Sequence, residues 1–204
     1  MRFRLTVASL AMIIPLTAAA QETAPPDKAT WITKEEIETV ARAIPDGDRN
    51  IKVANIGHEN FAVGIVHRGK TVNGSEGRPA LKLPPGQLCG RKVDAPPATG
   101  GTPAGITHDN QTEGYYIVSG GGTMFTDGYI ANGTKIDMTD LNGPTCFGTA
   151  YGVTRKIVKE GDIIIIPAGV VHGWLDIPDH VDYLSFRPST GILTPGWINP
   201  ALKK

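Results

Sequence analysis

The sequence predicts an all-β fold preceded by one α-helix, and three observations support this prediction. From Asn50 onward the chain contains short runs rich in Val, Ile, Thr, Tyr and Phe. Gly, Pro and Asn turns separate these runs, which is typical of a β-sandwich or a closed barrel. Ahead of them, a capping-box sequence opens a segment whose apolar residues recur at helical spacing.

The helix is predicted over residues 34–44. Thr33 is the expected N-cap, and Glu36 is the residue that reaches back to it. The Pro-Asp-Gly sequence at 45–47 ends the helix. We expect this helix to pack on the β-sheet and assign it no chemistry. Its apolar face consists of Ile37, Val40, Ala41 and Ile44.

Seven β-strands are predicted from the apolar and β-branched runs. Two connections are long for loops, at residues 68–105 and 127–152, and both are rich in Gly and Pro or other turn residues. Such connections are often lids or binding loops. Ile163 to Ile166 are four consecutive isoleucines, so that strand is expected to be covered on both faces. The predicted strands are 51–56, 61–67, 115–118, 123–125, 153–158, 162–166 and 181–186.

The N-terminus has the pattern of a secretory signal. Arg2 and Arg4 precede an apolar run at 5–16, and Ala18 to Ala20 supply small residues before a polar segment. The run is well short of the ~20 residues that span a bilayer. We expect a signal peptide at 1–20, an N-terminal extension at 21–49, one β domain at 50–190 and a C-terminal tail at 191–204. The mature protein is expected to be periplasmic or secreted, with no membrane association after cleavage.

The balanced charge of the chain argues against a nucleic acid as its partner. Lys plus Arg and Asp plus Glu are both 20, and no basic run occurs except Lys203 and Lys204, whereas nucleic-acid binding depends on a basic surface. A small molecule or another protein is the expected partner.

The two cysteines have two interpretations. Export would carry Cys89 and Cys146 into an oxidising compartment, where a disulfide between them is stable. They are otherwise two free, half-buried thiols. A catalytic thiol is disfavoured because neither cysteine lies beside a histidine.

Two sequence blocks carry the strongest functional signal. The first runs from Gly100 through five residues to Ile106, then Thr107, His108, four residues, Glu113, six residues and Gly120. The second runs from Gly161 through five residues to Pro167, Gly169 and His172. These blocks resemble the paired motifs of the cupins, G-x5-H-x-H-x4-E-x6-G and G-x5-P-x-G-x2-H. The resemblance covers about residues 51–188 and implies a double-stranded β-helix, also called a jelly-roll barrel, and a family tendency to form homodimers.

The spacing predicts a metal site. His108, Glu113 and His172 stand at the ends of different predicted strands, and strand-end residues that face into a barrel can converge. Two imidazoles and a carboxylate bind Fe(II), Mn(II), Ni(II) or Zn(II) and leave coordination positions open. A divalent transition metal is therefore the expected cofactor, with Glu113 either a ligand or the general base.

The first motif departs from the family pattern at one position, because Ile106 stands where the first histidine is expected and has no ligating atom. The candidates for a further ligand or for pocket residues are His67, Asn110, Gln111, Tyr116 and Trp174. In an alternative alignment His108 is the first ligand and Asn110 occupies the second position. Arg187 is interpreted as a substrate-carboxylate group or, more commonly for such a residue, part of a surface ion pair. Asp109 is expected to orient His108 or to cap the turn.

Two functions from different classes follow. The leading one is an exported metal-dependent cupin enzyme acting on a small organic molecule, of the dioxygenase, isomerase or lyase type. The alternative is a non-catalytic cupin that binds a small ligand, as a periplasmic sensor or carrier. A purely structural barrel, with no cavity beside His108 and His172, is a third possibility.

Overall fold

The computed structural model describes residues 28–45, 47–71 and 86–203. Within them one α-helix precedes ten β-strands and a short 3-10 helix, so the predicted fold class is confirmed. The helix is α1 (Lys34–Ala43), and the 3-10 helix is Pro200–Leu202. The strands are β1 (Gly47–Asn55), β2 (Asn60–Thr71), β3 (Gln87–Cys89), β4 (Thr102–His108), β5 (Glu113–Thr126), β6 (Tyr129–Met138), β7 (Gly143–Tyr151), β8 (Thr154–Lys159), β9 (Ile163–Ile166) and β10 (His172–Ser189).

The two longest strands, β5 and β10, run through both halves of an antiparallel double sheet. One half contains β1, β2, β10, β5 and β9 in that order. The other contains β3, β6, β7, β4, β10, β5 and β8. Because each long strand pairs with different partners along its length, the two halves curve around one core, as in a double-stranded β-helix.

The principal core lies between the two halves. Aliphatic side chains and the rings of Tyr115 and Tyr183 fill it, and the residues alternate with outward-facing neighbours along β5 and β10. The face of β2 that points away from this core is covered by α1, where Val40 packs on Ile51 and Ile65. Thr33 and Glu36 form the capping box predicted from the sequence, so the helix is confirmed.

The segment predicted as a long loop at 127–152 is instead the antiparallel pair β6 and β7, and the loop prediction was wrong there. Thr, Tyr and Ile residues suit strands even between glycines, while Asp140 with a φ of 59° lies in the turn between the strands. The segment predicted as a loop at 68–105 also contains strand: the end of β2, all of β3 and the start of β4. Residues 72–85 lie outside the described residues.

Residues 113–126 form one strand rather than the two predicted over 115–118 and 123–125. Three consecutive glycines, Gly120 to Gly122, join the two predicted runs. A Cβ on any of them would meet backbone atoms of β8 or β10 at 2.0 to 2.3 Å. The glycines therefore allow close approach of neighbouring strands where β5 passes from one half of the barrel to the other.

The strand of four isoleucines, β9, is exposed on one face, contrary to the prediction that both faces are covered. Ile163 and Ile165 are 71% and 73% exposed, whereas Ile166 is buried. Of the described strands β9 pairs only with β5, so it is an edge strand with no layer outside it.

The two cysteines form the disulfide Cys89–Cys146, which links β3 to β7 across the intervening β6. The C-terminal segment also packs on the barrel, since Val53 of β1 donates a backbone hydrogen bond to Trp197 over 2.9 Å and Leu193 is buried. The predicted signal peptide lies outside the described residues. Among the described residues no helix is long and apolar enough to span a membrane.

Candidate metal centre

Three strand ends bring the predicted ligands together. His108 is the last residue of β4, Glu113 the first of β5 and His172 the first of β10. Their ligand atoms all lie within 4.8 Å of one another. Glu113 Oε2 is 3.3 Å from His108 Nε2 and 3.2 Å from His172 Nε2, and the three residues are 1 to 4% exposed.

In each imidazole, the hydrogen bond made by Nδ1 determines whether Nε2 carries a proton or a lone pair. Thr145 donates its hydroxyl proton to the Gly143 carbonyl, so its oxygen accepts from His108 Nδ1, 2.9 Å away. His172 Nδ1 donates to the Val170 carbonyl over 3.1 Å. With both protons on Nδ1, each Nε2 presents a lone pair to the Glu113 carboxylate. His172 Nε2 is buried and has no hydrogen-bond partner among the residues that the structure describes, which is the state of a nitrogen ready to bind a cation.

Arg187 and Asn142 hold the other carboxylate oxygen. Arg187 Nε donates to Glu113 Oε1 over 2.8 Å, and Asn142 Nδ2 donates to the same atom over 3.1 Å. Arg187 is fully buried and is also paired with Asp48 and hydrogen-bonded to Asn50. The Glu113 carboxylate therefore has one oxygen fixed and the other directed at the two histidines.

The electrostatics keep this carboxylate ionised. Burial by itself would raise the pKa of Glu113, but the buried positive charge of Arg187 opposes it, and the pKa lies well below its usual range. Burial also lowers the pKa of His108, despite the opposing effect of Glu113. A neutral imidazole beside an ionised carboxylate is the protonation state that metal ligands require.

Tyr115 is a site residue that the sequence analysis did not select. Its hydroxyl donates to Glu113 Oε2 over 2.6 Å, and burial raises the pKa of this phenol well above its usual value. The signal was present, because residues two apart on a strand share a face, and Glu113 starts that strand. The same alternation turns the predicted Tyr116 outward, where it is exposed.

The other residues that the sequence analysis selected as further ligands or pocket residues have different surroundings. Asn110 is exposed in the turn after β4. Gln111 is buried and accepts from Asn142 over 2.8 Å, so it supports the carboxylate network without facing the histidines. Trp174 packs on Tyr183, with ring centroids 6.0 Å apart. Ile106 lies directly opposite His172 in the pairing of β4 with β10.

Three further interpretations, those of His67, Asp109 and Arg187, differ from the structure. His67 is hydrogen-bonded to Asp182 over 2.6 Å and is not part of the cluster formed by the three ligands. Neighbouring residues Val66 and Ile65 explain this, since Val66 packs in the core and Ile65 under α1, which directs His67 to the outer face. Asp109 forms an ion pair with Lys135, whereas the side-chain partner of His108 Nδ1 is Thr145. Arg187 is buried, not part of a surface ion pair.

Two cavities of the described part of the chain lie near the barrel edges. One of about 620 Å³ is bounded by the edge strands β8 and β9. Another, of about 260 Å³, lies beside Lys135 and Pro144. His108, Glu113 and His172 line neither cavity, but the first is lined by Ile166, which pairs with Glu113, and by Val170, whose carbonyl accepts from His172.

Comparisons with known proteins give remote likenesses. No family model matches the sequence, and no curated protein matches it. Similar solved structures include a cupin protein from Bacteroides fragilis, at 14% identity and a TM-score of 0.31, covering 67% of this chain and 71% of that one. An uncharacterized conserved protein with a double-stranded β-helix domain from Klebsiella pneumoniae gives 16% identity and a TM-score of 0.36, covering 80% of this chain and 94% of that one. Peruvianin-I, a cysteine peptidase from Thevetia peruviana latex, gives 11% identity and a TM-score of 0.32, covering 82% and 80%.

Proposed function

We propose that this cupin-type barrel binds a divalent transition metal through His108, Glu113 and His172 and uses it on a small organic molecule. The cupin assignment rests on the two motifs and on the double sheet of the chain itself. The observation that carries the metal proposal is the convergence of two imidazole lone pairs and one carboxylate oxygen. Within the described parts of the chain, His172 Nε2 is buried without a hydrogen-bond partner. Zn, Fe, Mn and Ni all accept this ligand set.

The chain's own residues fix the ligand geometry before any metal binds. Thr145 and the Val170 carbonyl fix the tautomers and the ring orientations of the two histidines. Arg187 and Asn142 occupy Glu113 Oε1, which leaves Oε2 as the one oxygen that faces the histidines. These contacts favour a ligand role for Glu113 over a general-base role, because a base must swing its carboxylate toward the substrate.

A bound divalent metal would supply Lewis-acid polarisation of a substrate oxygen, or redox chemistry in the case of iron. The Tyr115 hydroxyl, which contacts Glu113 Oε2, is placed to donate a proton or a hydrogen bond to a substrate bound there. The apolar Ile106 replaces a fourth ligand, so coordination positions are left for substrate or water. Enzyme activity also requires the buried centre to open, since its ligands are nearly inaccessible.

Metal analysis tests this proposal. Protein purified without chelator is measured for Fe, Mn, Ni and Zn by elemental analysis, as the wild type and as His172→Ala, Glu113→Gln and His58→Ala. His58 is 82% exposed at its side chain and serves as the matched control. We expect metal bound at the centre to be lost in the first two variants and kept in the third. Equal metal content in all four proteins would overturn the proposal.

The non-catalytic alternative is favoured by the burial of the three ligands and by Ile106 at the position of the missing histidine. Substrate screening of the metal-loaded protein separates the two functions, because a ligand that the protein binds without converting it would raise the melting temperature and yield no product.

We also propose export to the periplasm or the medium. The signal-like N-terminus supports this, and so does the disulfide, since disulfides persist mainly in oxidising compartments. Fractionation with N-terminal sequencing tests it, with Gln21 expected as the first residue.

A further inference from the structure

A second cluster of metal-ligating side chains lies on the outer face of the barrel, away from the centre described above. It consists of Ser119 on β5 and of His180 and Asp182 on β10. Val181 and Tyr183 pack in the core, so His180 and Asp182, which alternate with them, face outward. His180 and Asp182 retain 35% and 30% side-chain exposure, which leaves them accessible to an ion from solvent.

The backbone directs all three side chains to one point. Asp182 lies opposite Ser119 on one side and opposite His67 on the other. The pairing of β10 with β5 shifts by one residue between Asp182 and Tyr183, which is a β-bulge. Without the bulge, Ser119 would face inward like Ile117, two residues earlier. The irregularity thus turns the hydroxyl outward to meet Asp182.

The distances between the three ligand atoms suit a metal ion. Ser119 Oγ is 2.8 Å from Asp182 Oδ2 and 3.2 Å from His180 Nε2. His180 Nε2 is 3.8 Å from the same carboxylate oxygen. Atoms bound at about 2.1 Å around a tetrahedral zinc ion are separated by roughly 3 to 3.5 Å. Only a small movement of His180 is needed to reach that spacing.

The hydrogen bonds of the three side chains show where a cation would bind. His180 Nδ1 donates to Asp179 over 2.7 Å, so Nε2 carries a lone pair. Ser119 donates its proton to Asp182, so its oxygen offers only lone pairs to His180. A cation bound here would replace the Ser119 proton between the two oxygens and would meet the lone pair of His180 Nε2.

Two outer partners complete the arrangement. His67 donates from Nδ1 to Asp182 Oδ1 over 2.6 Å, and Asp179 holds the far nitrogen of His180. Metal sites commonly have this pattern, in which each ligand is oriented by a hydrogen bond on its other side. The His67 and His180 rings also lie nearly parallel, 18° apart, on either side of the shared carboxylate.

We propose that Ser119, His180 and Asp182 form a zinc site on the outer face of the barrel, with His67 and Asp179 as positioning residues and water in the remaining position. A neutral imidazole and a carboxylate are ligands that zinc accepts, and the Ser119 hydroxyl oxygen would be the third donor. This site is independent of the proposed function of the inner centre.

The experiment uses the full-length protein with His172→Ala, which removes the inner centre, and zinc alone as the probe. Chelator-treated protein is titrated with Zn²⁺ by calorimetry, and folding is checked by circular dichroism. We expect one zinc per chain. Adding His180→Ala or Asp182→Asn should lower the affinity by more than about tenfold, and adding His67→Ala by about tenfold. Adding His58→Ala, the matched exposed histidine, should leave it unchanged.

Three results would overturn the proposal. They are the absence of zinc binding by folded His172→Ala, unchanged titration on adding His180→Ala, and covalent labelling of Ser119 by a fluorophosphonate. The last would mean that His180 activates Ser119 as a nucleophile instead of binding metal beside it. Where Asp182→Asn fails to fold, Ser119→Ala tests the same site, with a several-fold weaker affinity expected and the fold retained.

Discussion

Arg187 Nε donates to Glu113 Oε1 over 2.8 Å, and the two side chains are almost completely buried. The pair joins the end of β10 to the start of β5, beneath the two histidines. Burial alone would lower the pKa of Arg187, but the charges of Asp48 and Glu113 raise it further above its already high value. The guanidinium is therefore a permanent charge that fixes both the ionisation and the orientation of the Glu113 carboxylate.

Replacing this arginine should destabilise the fold strongly. Arg187→Met leaves Glu113 and Asp48 as carboxylates without their cation, and breaking a buried ion pair costs about 3 to 5 kcal/mol. Urea unfolding measures the change. Arg42→Met, at an exposed position of α1, is the control and should cost less than about 0.5 kcal/mol. A loss below about 1 kcal/mol for Arg187→Met would contradict the structural role.

Stability should fall in acid because of Glu113. Its folded-state pKa lies below the unfolded value of about 4.3, so the folded state binds fewer protons. The stabilisation is therefore complete above about pH 5 and is lost as the pH falls through the folded-state pKa. Unfolding free energies from pH 7 to pH 3 should decline less steeply for Glu113→Gln than for the wild type. Glu160→Gln, on an exposed turn, should follow the wild type.

Removing the disulfide should lower stability by about 4 kcal/mol. Cys89 and Cys146 are separated by 57 residues, and the chain-entropy relation gives a stabilisation of this size for such a loop. The double variant Cys89→Ser with Cys146→Ser is compared with the wild type by thermal unfolding, with and without reductant. Reductant should lower the melting temperature of the wild type and leave that of the double variant unchanged. Recovery of separate Cys89 and Cys146 peptides under non-reducing conditions would refute the bridge.

Restoring the missing motif histidine should strengthen metal binding. Ile106 lies opposite His172 and two residues before His108, so Ile106→His adds an imidazole on the same strand face. We expect the affinity for Ni²⁺ or Zn²⁺ to rise by about tenfold or more. Ile106→Leu is the volume-matched control and should leave the affinity unchanged. Unaltered binding in a folded Ile106→His variant would mean that this position does not face the ligands.

The two faces of β9 should respond differently to mutation. Ile163→Thr changes an exposed side chain and should cost less than about 0.5 kcal/mol. Ile166→Thr puts a hydroxyl into a buried site and should cost about 2 to 4 kcal/mol. The measurements are made at two protein concentrations, because the family resemblance implies a homodimer. A concentration-dependent loss for Ile163→Thr would show that a second copy covers this edge strand.

Sequence patterns were sufficient where one local rule dominates. The capping box at Thr33 and Glu36 predicted α1, and motif spacing predicted that His108, Glu113 and His172 converge. Sequence patterns failed where the formation or the exposure of a strand depends on the strands and layers that pack against it. β6 and β7 were predicted as loop because glycine and polar residues interrupt them, yet pairing with each other and with β3 and β4 stabilises both strands. The exposed isoleucines of β9 show the same limit, since local hydrophobicity does not reveal whether another layer lies outside a strand.

The sequence by itself determined an all-β chain with one N-terminal helix and the three residues at strand ends that form the candidate metal centre. These follow from periodicity and spacing, which are local properties. Only the tertiary structure decided that Arg187 is buried against Glu113, that Tyr115 and not Tyr116 faces the centre, and that His67 lies on the outer face beside Asp182. Each of these depends on the register between strands distant in sequence, and a bulge or a one-residue shift reverses the face on which a side chain lies.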